Sequence, residues 1–235
     1  MLFAWGESRE YTDLDYARLV SSKAFRKLKP EKNHKHIASR DEFEELVPKV
    51  ATIRSTYIVN RALNLGLHIF LRPIEIVKLH WSDVDWQKEQ INIPASRMKM
   101  ERDFIVPMSS QVTTLLKEVY EVTGHSDYVF LSNYRAGSKD HISRDSLSNA
   151  LRNNNIIETS THGFRHAASS LLRDVIKAEG DLVELQLSHE RKSVEKVYNK
   201  SKRLDERRLM MQSWSDYIQS AAEGKAKFFS AQATT

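Results

Sequence analysis

The chain has 235 residues, 40% of them hydrophobic, and its 36 Lys and Arg residues against 31 Asp and Glu residues give a net charge of +5. This composition is enough for one sizeable core with a small appendage, and the modest positive charge is compatible with a polyanionic partner without identifying one. The absence of cysteine excludes a disulfide scaffold, and no apolar stretch has the length needed to cross a bilayer, so we expect a cytoplasmic protein.

The first forty residues predict a short apolar segment followed by a linker. Aromatic and apolar positions are spread over residues 1–22, whereas residues 23–40 form a polar, cation-rich stretch. Ser39 and Glu42 then match a capping box, which predicts the start of a helix. The buried face of that helix would carry Phe43, Leu46 and Val47.

A second apolar-periodic stretch, residues 57–70, predicts another helix, and a short helix follows it. Pro73 fits the first turn of this short helix, which places Arg72 at the helix N-terminus. An ion pair between Arg72 and Glu75, one turn later, is the simplest interpretation. That contact would also leave the guanidinium oriented toward a phosphate, so the two interpretations are compatible.

Two short strands are predicted next, at residues 91–94 and 103–107, with residues 97–102 turning between them. Lys99 would therefore lie on a mobile hairpin. The apolar pattern then predicts a helix over residues 109–122 that ends at Gly124.

Another helix is predicted over residues 143–152, with two chemically different faces. Its buried face would contain Leu147, Ala150 and Leu151. The outward face would contain Arg144, Ser148, Asn149 and Arg152, and a solvated surface is a sufficient interpretation of any one of these residues.

A helix capped by Thr161 is predicted to present His162 and Arg165. Residues three apart share a helix face, so both side chains can point at one anion near a helix N-terminus, whose free amides favour negative charge. The alternative is a capping Thr with His and Arg facing solvent. A zinc site at His162 and His166 is disfavoured, because the chain has no cysteine and no third ligand at metal spacing.

Tyr198 follows His189 by nine positions, after a helix predicted around residues 182–187 and within a further short helix. Alone, this pair does not indicate a function, because a phenol with a pKa near 10 is a poor nucleophile at neutral pH. The whole set is suited to holding one phosphodiester while a phenol attacks it; its members are Arg72, Lys99, His162, Arg165, His189 and Tyr198.

A later helix has an apolar stripe formed by Leu204, Met211, Trp214 and Ile218. This stripe can dock on the same chain or on a neighbouring protomer.

The order and spacing of these motifs resemble the tyrosine recombinases over about residues 40–220. The resemblance rests on Arg72-x-x-Glu75, residues 81–85, a hairpin lysine eight residues before Pro107, the His162 and Arg165 pair, His189 and Tyr198. Residues 93–100, 106–111, 162–165 and 206–217 resemble, more narrowly, the integrases of satellite prophages and genomic islands. Two departures leave the catalytic groups intact: Ser188 replaces the usual Ala or Gly, and Phe104 replaces a frequent histidine.

This resemblance implies an α+β, mainly helical fold with a small antiparallel sheet and a hairpin, shared with type IB topoisomerases. It implies that Tyr198 forms a 3′-phosphotyrosine, with Lys99 as general acid and His162 as candidate base. Phosphate donors would be Arg72, Arg165 and His189, so no metal or other cofactor is expected. The outward face at residues 143–152 resembles the family helix that enters the major groove, and for any one residue a solvated surface is an equally good interpretation.

Double-stranded DNA at attachment sites is the partner that the resemblance implies, with a homotetramer in synapsis, possible accessory bending or excision factors, and association with the bacterial nucleoid. Residues 1–22 would be a remnant of a core-binding domain, 23–40 a basic linker, 41–221 the catalytic domain and 222–235 a flexible tail. Such a chain would be a catalytic-domain fragment or a shortened gene product. A DNA-binding relic and a type IB topoisomerase are the alternatives, and the intact catalytic set argues against the relic.

Overall fold

A computed structural model describes residues 6, 8–11, 37, 39–98, 101–132, 140–157, 159–188, 203–226 and 229. The chain divides into two units, residues 1–34 and 35–235. In the first unit, the described residues form a turn in which the N–H groups of Arg9 and Tyr11 donate to the carbonyl oxygen of Gly6 at 3.2 and 2.9 Å.

The second unit is mainly helical. Its α-helices are α1 Arg40–Ala51, α2 Tyr57–Ile69, α3 Pro73–Val77, α4 Ser110–Thr123, α5 Arg144–Asn153, α6 Thr161–Asp174, α7 Gly180–Gln186 and α8 Leu204–Ala222. Short 3-10 turns cover Trp81–Asp83 and Ala95–Arg97. None of the helices in the described part of the chain is both long and apolar enough to span a membrane.

A small antiparallel sheet joins three strands in the order β1 Val84–Asp85, β2 Gln90–Ile93 and β3 Phe104–Pro107. Ile91 of β2 pairs with Val84 on one side and Val106 on the other. The two predicted strands are confirmed to within one residue at their ends. β1 was not predicted from the sequence, because two residues are too few to show an alternating pattern.

Serine side chains cap several helices, and the cap at Ser39 is the one that the sequence predicts. The Ser39 hydroxyl accepts from the Glu42 amide at 3.2 Å, and Ser109 and Ser143 cap α4 and α5. The predicted cap of α6 is wrong by one residue. Ser160, not Thr161, has the extended backbone of a cap and accepts from the Gly163 amide at 3.2 Å, while Thr161 is the first helical residue and is buried.

Helix α8 lies at the centre of the aromatic core. The Trp214 ring packs against Phe43 of α1 and against Phe70, with a centroid separation of 5.3 Å in each case. The indole N–H of Trp214 donates to the Leu67 carbonyl of α2 at 2.9 Å. The predicted apolar stripe is confirmed at Met211, Trp214 and Ile218, and this helix docks on its own chain.

Buried polar groups fasten α8 to two further helices. His68 Nδ1 lies 2.9 Å from the Ser215 hydroxyl, which accepts from the Ser109 hydroxyl at 2.7 Å. Burial lowers the pKa of His68 to about 4, so its imidazole is neutral at physiological pH. This chain of contacts links α2, α4 and α8 and fixes their relative register.

Part of the predicted C-terminal tail is packed onto the domain. Arg40 Nη2 donates to the Ala226 carbonyl at 2.8 Å, and the Phe229 ring lies 5.4 Å from the Tyr217 ring. Arg40 also donates to Glu44 of α1 at 2.6 Å. Its side chain therefore connects the start of α1 to the residues after α8.

Candidate active site

Arg72 stands at the N-terminus of α3, where one carboxylate fixes it twice. Its amide donates to Glu75 Oε2 at 2.8 Å, and its Nη1 donates to Glu75 Oε1 at 2.9 Å. The Glu75 side chain is 1% exposed and the Arg72 side chain 18% exposed. The predicted ion pair is therefore confirmed, and it holds a guanidinium at a helix N-terminus that still reaches solvent.

Arg165 is a buried cation with main-chain partners. The residue is 6% exposed, and its two terminal nitrogens donate to the carbonyl oxygens of Phe70 and Leu187. Phe70 precedes Arg72 by two residues, and Leu187 precedes His189 by two residues. One guanidinium therefore joins the segment before Arg72 to the segment before His189.

The two arginines lie close enough for their charges to interact. Burial and, to a smaller extent, the positive charge of Arg72 lower the pKa of Arg165 to about 10, although Glu75 and Glu184 act in the opposite direction. Arg165 remains cationic at neutral pH. Two neighbouring cations that repel one another are stabilised by an anion that contacts both, which is the electrostatic requirement for a phosphate site.

His162 lies on the first turn of α6 and is exposed. Its ring meets the His166 ring edge to face, with centroids 4.9 Å apart. The alternative in which both His162 and Arg165 face solvent is wrong for Arg165, because that side chain turns inward to the Phe70 and Leu187 carbonyls. Within the described residues, no group of three or more His, Asp or Glu side chains is arranged to hold a metal ion.

Lys99 lies outside the described residues, but the hairpin on both sides of it is defined. The Glu101 amide donates to the Met98 carbonyl at 3.0 Å, and the Ala95 amide donates to Asp103 Oδ1 at 2.9 Å across the hairpin base. Arg97, which the sequence places only in the turn, forms an ion pair with buried Asp83, with Nη1 2.7 Å from Oδ2. The base of the hairpin is therefore anchored to the 3-10 turn at Trp81–Asp83.

His189 and Tyr198 also lie outside the described residues, and the residues before and after them are held to each other. Arg207 donates to Gln186 Oε1 at 2.9 and 2.7 Å and to the Ile105 carbonyl at 2.6 Å. Arg203 forms an ion pair with Glu179, at the start of α7. The beginning of α8 is thus fastened to both ends of α7.

Sequence reasoning missed Arg207, although a signal for it exists. Arg207 interrupts the apolar spacing of α8 between Leu204 and Met211, so a charged residue occupies an inward position. Burial lowers its pKa to about 10, and its contacts with Gln186 and the Ile105 carbonyl compensate for the loss of water. A charged residue at a position that the helix periodicity places in the core predicts a buried cation that is held by hydrogen bonds.

Residues 38–204 match the Phage integrase family. The chain is a member of this family. It is 33% identical over 193 residues to the integrase of Enterobacteria phage P4, an alignment that covers 75% of this chain and 44% of the relative. It is 30% identical over 204 residues to the putative protein IntB of Escherichia coli K12, covering 80% and 51%. The chain spans about half the length of these curated relatives.

Solved structures agree with the phage integrase assignment at the level of the fold. The integrase from mycobacterium phage Brujita superposes with a TM-score of 0.57 at 15% identity, covering 99% of this chain and 70% of that one. The XerA recombinase superposes with a TM-score of 0.53 at 21% identity, covering 75% and 63%. The predicted family and the predicted fold class, mainly helical with a small antiparallel sheet, are both confirmed.

In this member of the phage integrase family, helix α5 has the buried and outward faces that were predicted for it. Leu147, Ala150 and Leu151 are buried. On the opposite face Ser148 is half-buried, while Arg144, Asn149 and Arg152 are exposed. Arg144 lies 3.4 Å from the carboxylate of its neighbour Asp145. The assignment of these four side chains to DNA stays a prediction.

Proposed function

We propose that the chain is the catalytic domain of a site-specific DNA recombinase, an integrase that cleaves and rejoins DNA through a 3′-phosphotyrosine intermediate. The observation that supports this most directly is the buried guanidinium of Arg165. It is held by the carbonyls of Phe70 and Leu187 and lies within electrostatic reach of Arg72. In the proposal, both guanidiniums donate to the same phosphate, and the forked geometry of arginine suits that role.

In the proposed reaction, the Tyr198 phenol attacks the scissile phosphorus and the bond to the 5′ oxygen breaks. His162 accepts the phenol proton, and Lys99 donates a proton to the departing 5′ oxygen. Arg72, Arg165 and His189 donate to the nonbridging oxygens as charge builds in the transition state. The 5′ hydroxyl of a second DNA end then attacks the phosphotyrosine, so the bond is exchanged without ATP.

Metal-independent cleavage is part of this proposal. The positive charge at phosphorus comes from Arg72 and Arg165, and the protons come from Lys99 and His162. Arg165 is cationic throughout the neutral range, because its pKa of about 10 lies well above it. In the proposed mechanism, side chains therefore compensate the negative charge of the phosphate.

Double-stranded DNA is the proposed partner. XerH is solved bound to its difH substrate, with a TM-score of 0.51 to this chain, and the Tn1549 integrase is solved with circular intermediate DNA, also at 0.51. We extend this partner to the present chain, with the exposed side of α5 as the part that reads the major groove. A homotetramer on DNA, accessory bending or excision factors and association with the nucleoid belong to the same proposal.

We assign residues 41–221 to the catalytic domain, with residues 1–22 as a remnant of a core-binding domain, 23–40 as the linker and 222–235 as the tail.

The test is covalent capture on a suicide substrate. A duplex with the attachment core of the element that encodes the chain, nicked beside the scissile phosphate, should give a protein–DNA adduct that survives denaturant. Tyr198→Phe should abolish the adduct while DNA binding is retained, because only the hydroxyl is lost. Tyr120→Phe is the matched control, since Tyr120 is an exposed tyrosine on α4.

Each outcome of this experiment discriminates between functions. No adduct from the unmodified chain on its own core would indicate a DNA-binding relic. Equal cleavage of unrelated duplexes, with relaxation of a supercoiled plasmid that lacks the core, would indicate a type IB topoisomerase. An adduct that persists in Tyr198→Phe would show that the nucleophile is another residue.

A further inference from the structure

Arg102 connects the β2–β3 hairpin to the end of α7. Its Nη2 atom donates to the Ser188 carbonyl at 3.1 Å and lies 3.5 Å from the Ser188 hydroxyl. Ser188 is 2% exposed, so the contact lies at a buried turn although Arg102 itself is only partly buried. The partners are 86 positions apart in the chain, so this is a tertiary contact.

The two ends of this contact adjoin two residues of the proposed reaction. Arg102 follows Lys99 by three positions, and Ser188 immediately precedes His189. The carbonyl that accepts from Arg102 belongs to the peptide bond between Ser188 and His189. This hydrogen bond therefore joins the hairpin, on the β3 side of Lys99, to the peptide bond that precedes His189.

The α7 end of this contact is held by hydrogen bonds that do not involve Arg102. The Leu187 amide donates to the Val183 carbonyl at 2.9 Å, the Ser188 amide donates to the Leu185 carbonyl at 3.1 Å, and Arg165 donates to the Leu187 carbonyl. Ser188 itself has a left-handed backbone, with a φ of 53°. These contacts hold the turn independently of Arg102, so the hairpin is the part that Arg102 positions.

We propose that Arg102 is a positioning residue that fastens the hairpin carrying Lys99 against the Ser188 carbonyl, so that the general acid and His189 reach the same phosphate. This rests on the proposed recombinase function. A charged donor on a carbonyl at a buried turn is stronger than an exposed ion pair, because water competes less for both groups. Arg102 acts through Lys99 and does not itself contact the reacting atoms.

The activity test compares Lys99→Ala, Arg102→Ala and the double variant on ordinary DNA and on a substrate with sulfur as the bridging 5′ atom. Sulfur leaves without needing a proton, so it removes the need for Lys99. Arg102→Ala should slow ordinary cleavage about tenfold or more, sulfur should restore most of that loss, and the double variant should be no slower than Lys99→Ala. Arg102→Lys, which retains one cationic donor, should fall between Arg102→Ala and the unmodified chain.

Two results would overturn the proposal. Losses that multiply in the double variant, with no rescue by sulfur, would show that Arg102 acts independently of Lys99. Weaker DNA binding by Arg102→Ala with an unchanged cleavage rate at saturating DNA would make it a phosphate contact. Arg173→Ala is the matched control and should cleave normally, because Arg173 also bonds α7, at Glu184 and 2.6 Å, but away from the Ser188 turn.

A second measurement needs no DNA and so separates this proposal from the recombinase function. Endoproteinase Lys-C cuts after lysine, and Lys99→Ala identifies the product of cleavage at that site. Arg102→Ala should speed cleavage after Lys99 about tenfold, while Arg173→Ala leaves it unchanged. Equal rates in Arg102→Ala and the unmodified chain would refute the positioning role even if adduct formation is normal, and faster cutting would support it even if no adduct forms.

Discussion

Two cationic regions of this protein differ in how their side chains are held. Arg165 is 6% exposed and donates to two main-chain carbonyls, and Arg72 is fixed by a buried carboxylate. On α5, the Arg144 side chain is 64% exposed and pairs with its sequence neighbour at 3.4 Å. The first region is organised before any ligand arrives, whereas the second can adapt to one. We therefore expect the first to determine rate and the second to determine affinity.

The largest effect is expected from Arg165→Ala. Removing one preorganised donor should lower the cleavage rate about 100- to 1000-fold. The Phe70 and Leu187 carbonyls also lose their donor, at a cost to stability of about 1–3 kcal/mol for each carbonyl that stays dry. Single-turnover adduct formation and thermal denaturation measure the two losses, and a variant that keeps its melting temperature would show that Arg165 is not a structural strut.

A second comparison separates charge at phosphorus from protonation of the leaving oxygen. Lys99→Ala should cleave ordinary DNA very poorly and be substantially rescued when the bridging 5′ oxygen is replaced by sulfur. Arg72→Ala should show no such rescue, because Arg72 acts on the nonbridging oxygens. Cleavage rates on the two substrates decide this, and equal failure of both variants on the sulfur substrate would remove Lys99 from the role of general acid.

A smaller effect is expected on the exposed helix. Arg144→Ala and Arg152→Ala should each weaken DNA binding and reduce the slope of log affinity against log salt by about one. Cleavage of saturated substrate should hardly change. Titrations at several salt concentrations, with single-turnover rates beside them, test the distinction between the two regions, which fails if either substitution slows cleavage as much as Arg72→Ala does.

No effect is expected from removing metal ions. Adduct formation by the unmodified chain should proceed equally in EDTA and in magnesium, because Arg72 and Arg165 supply the charge at phosphorus. The measurement is the single-turnover rate after exhaustive chelation. A rate that falls in EDTA and returns on addition of magnesium or zinc would contradict the side-chain mechanism.

The sequence predicts the local structure of this protein better than its long-range contacts. Ser39 marks a helix start because Glu42 follows it three residues later, which matches a capping box before an apolar-periodic run. Thr161 was a wrong choice of cap because Ser160 beside it has the same chemistry, and only the backbone conformation distinguishes them. Local signals therefore predict most elements, with ends that are correct to within about two residues.

The candidate active site shows the same difference between local contacts, which the sequence predicts, and long-range contacts, which it does not. Arg72 and Glu75 are three positions apart, so their ion pair is visible in the sequence. The partners of Arg165 are main-chain carbonyls on two distant segments, and every residue has a carbonyl, so no residue type indicates them. The Arg102 contact with Ser188 is hidden for the same reason.

Phe70 shows how narrowly one position beside the arginine pair can vary. Its φ of 57° suits glycine, its ring is 1% exposed against Trp214, and its carbonyl accepts from Arg165. Glycine would relax the backbone but empty a site where loss of an aromatic ring costs about 3–5 kcal/mol. A β-branched residue would fill part of the space but strain the left-handed backbone. Both glycine and a β-branched residue are therefore disfavoured at this position, and sequences that descend from this one should keep an aromatic residue here.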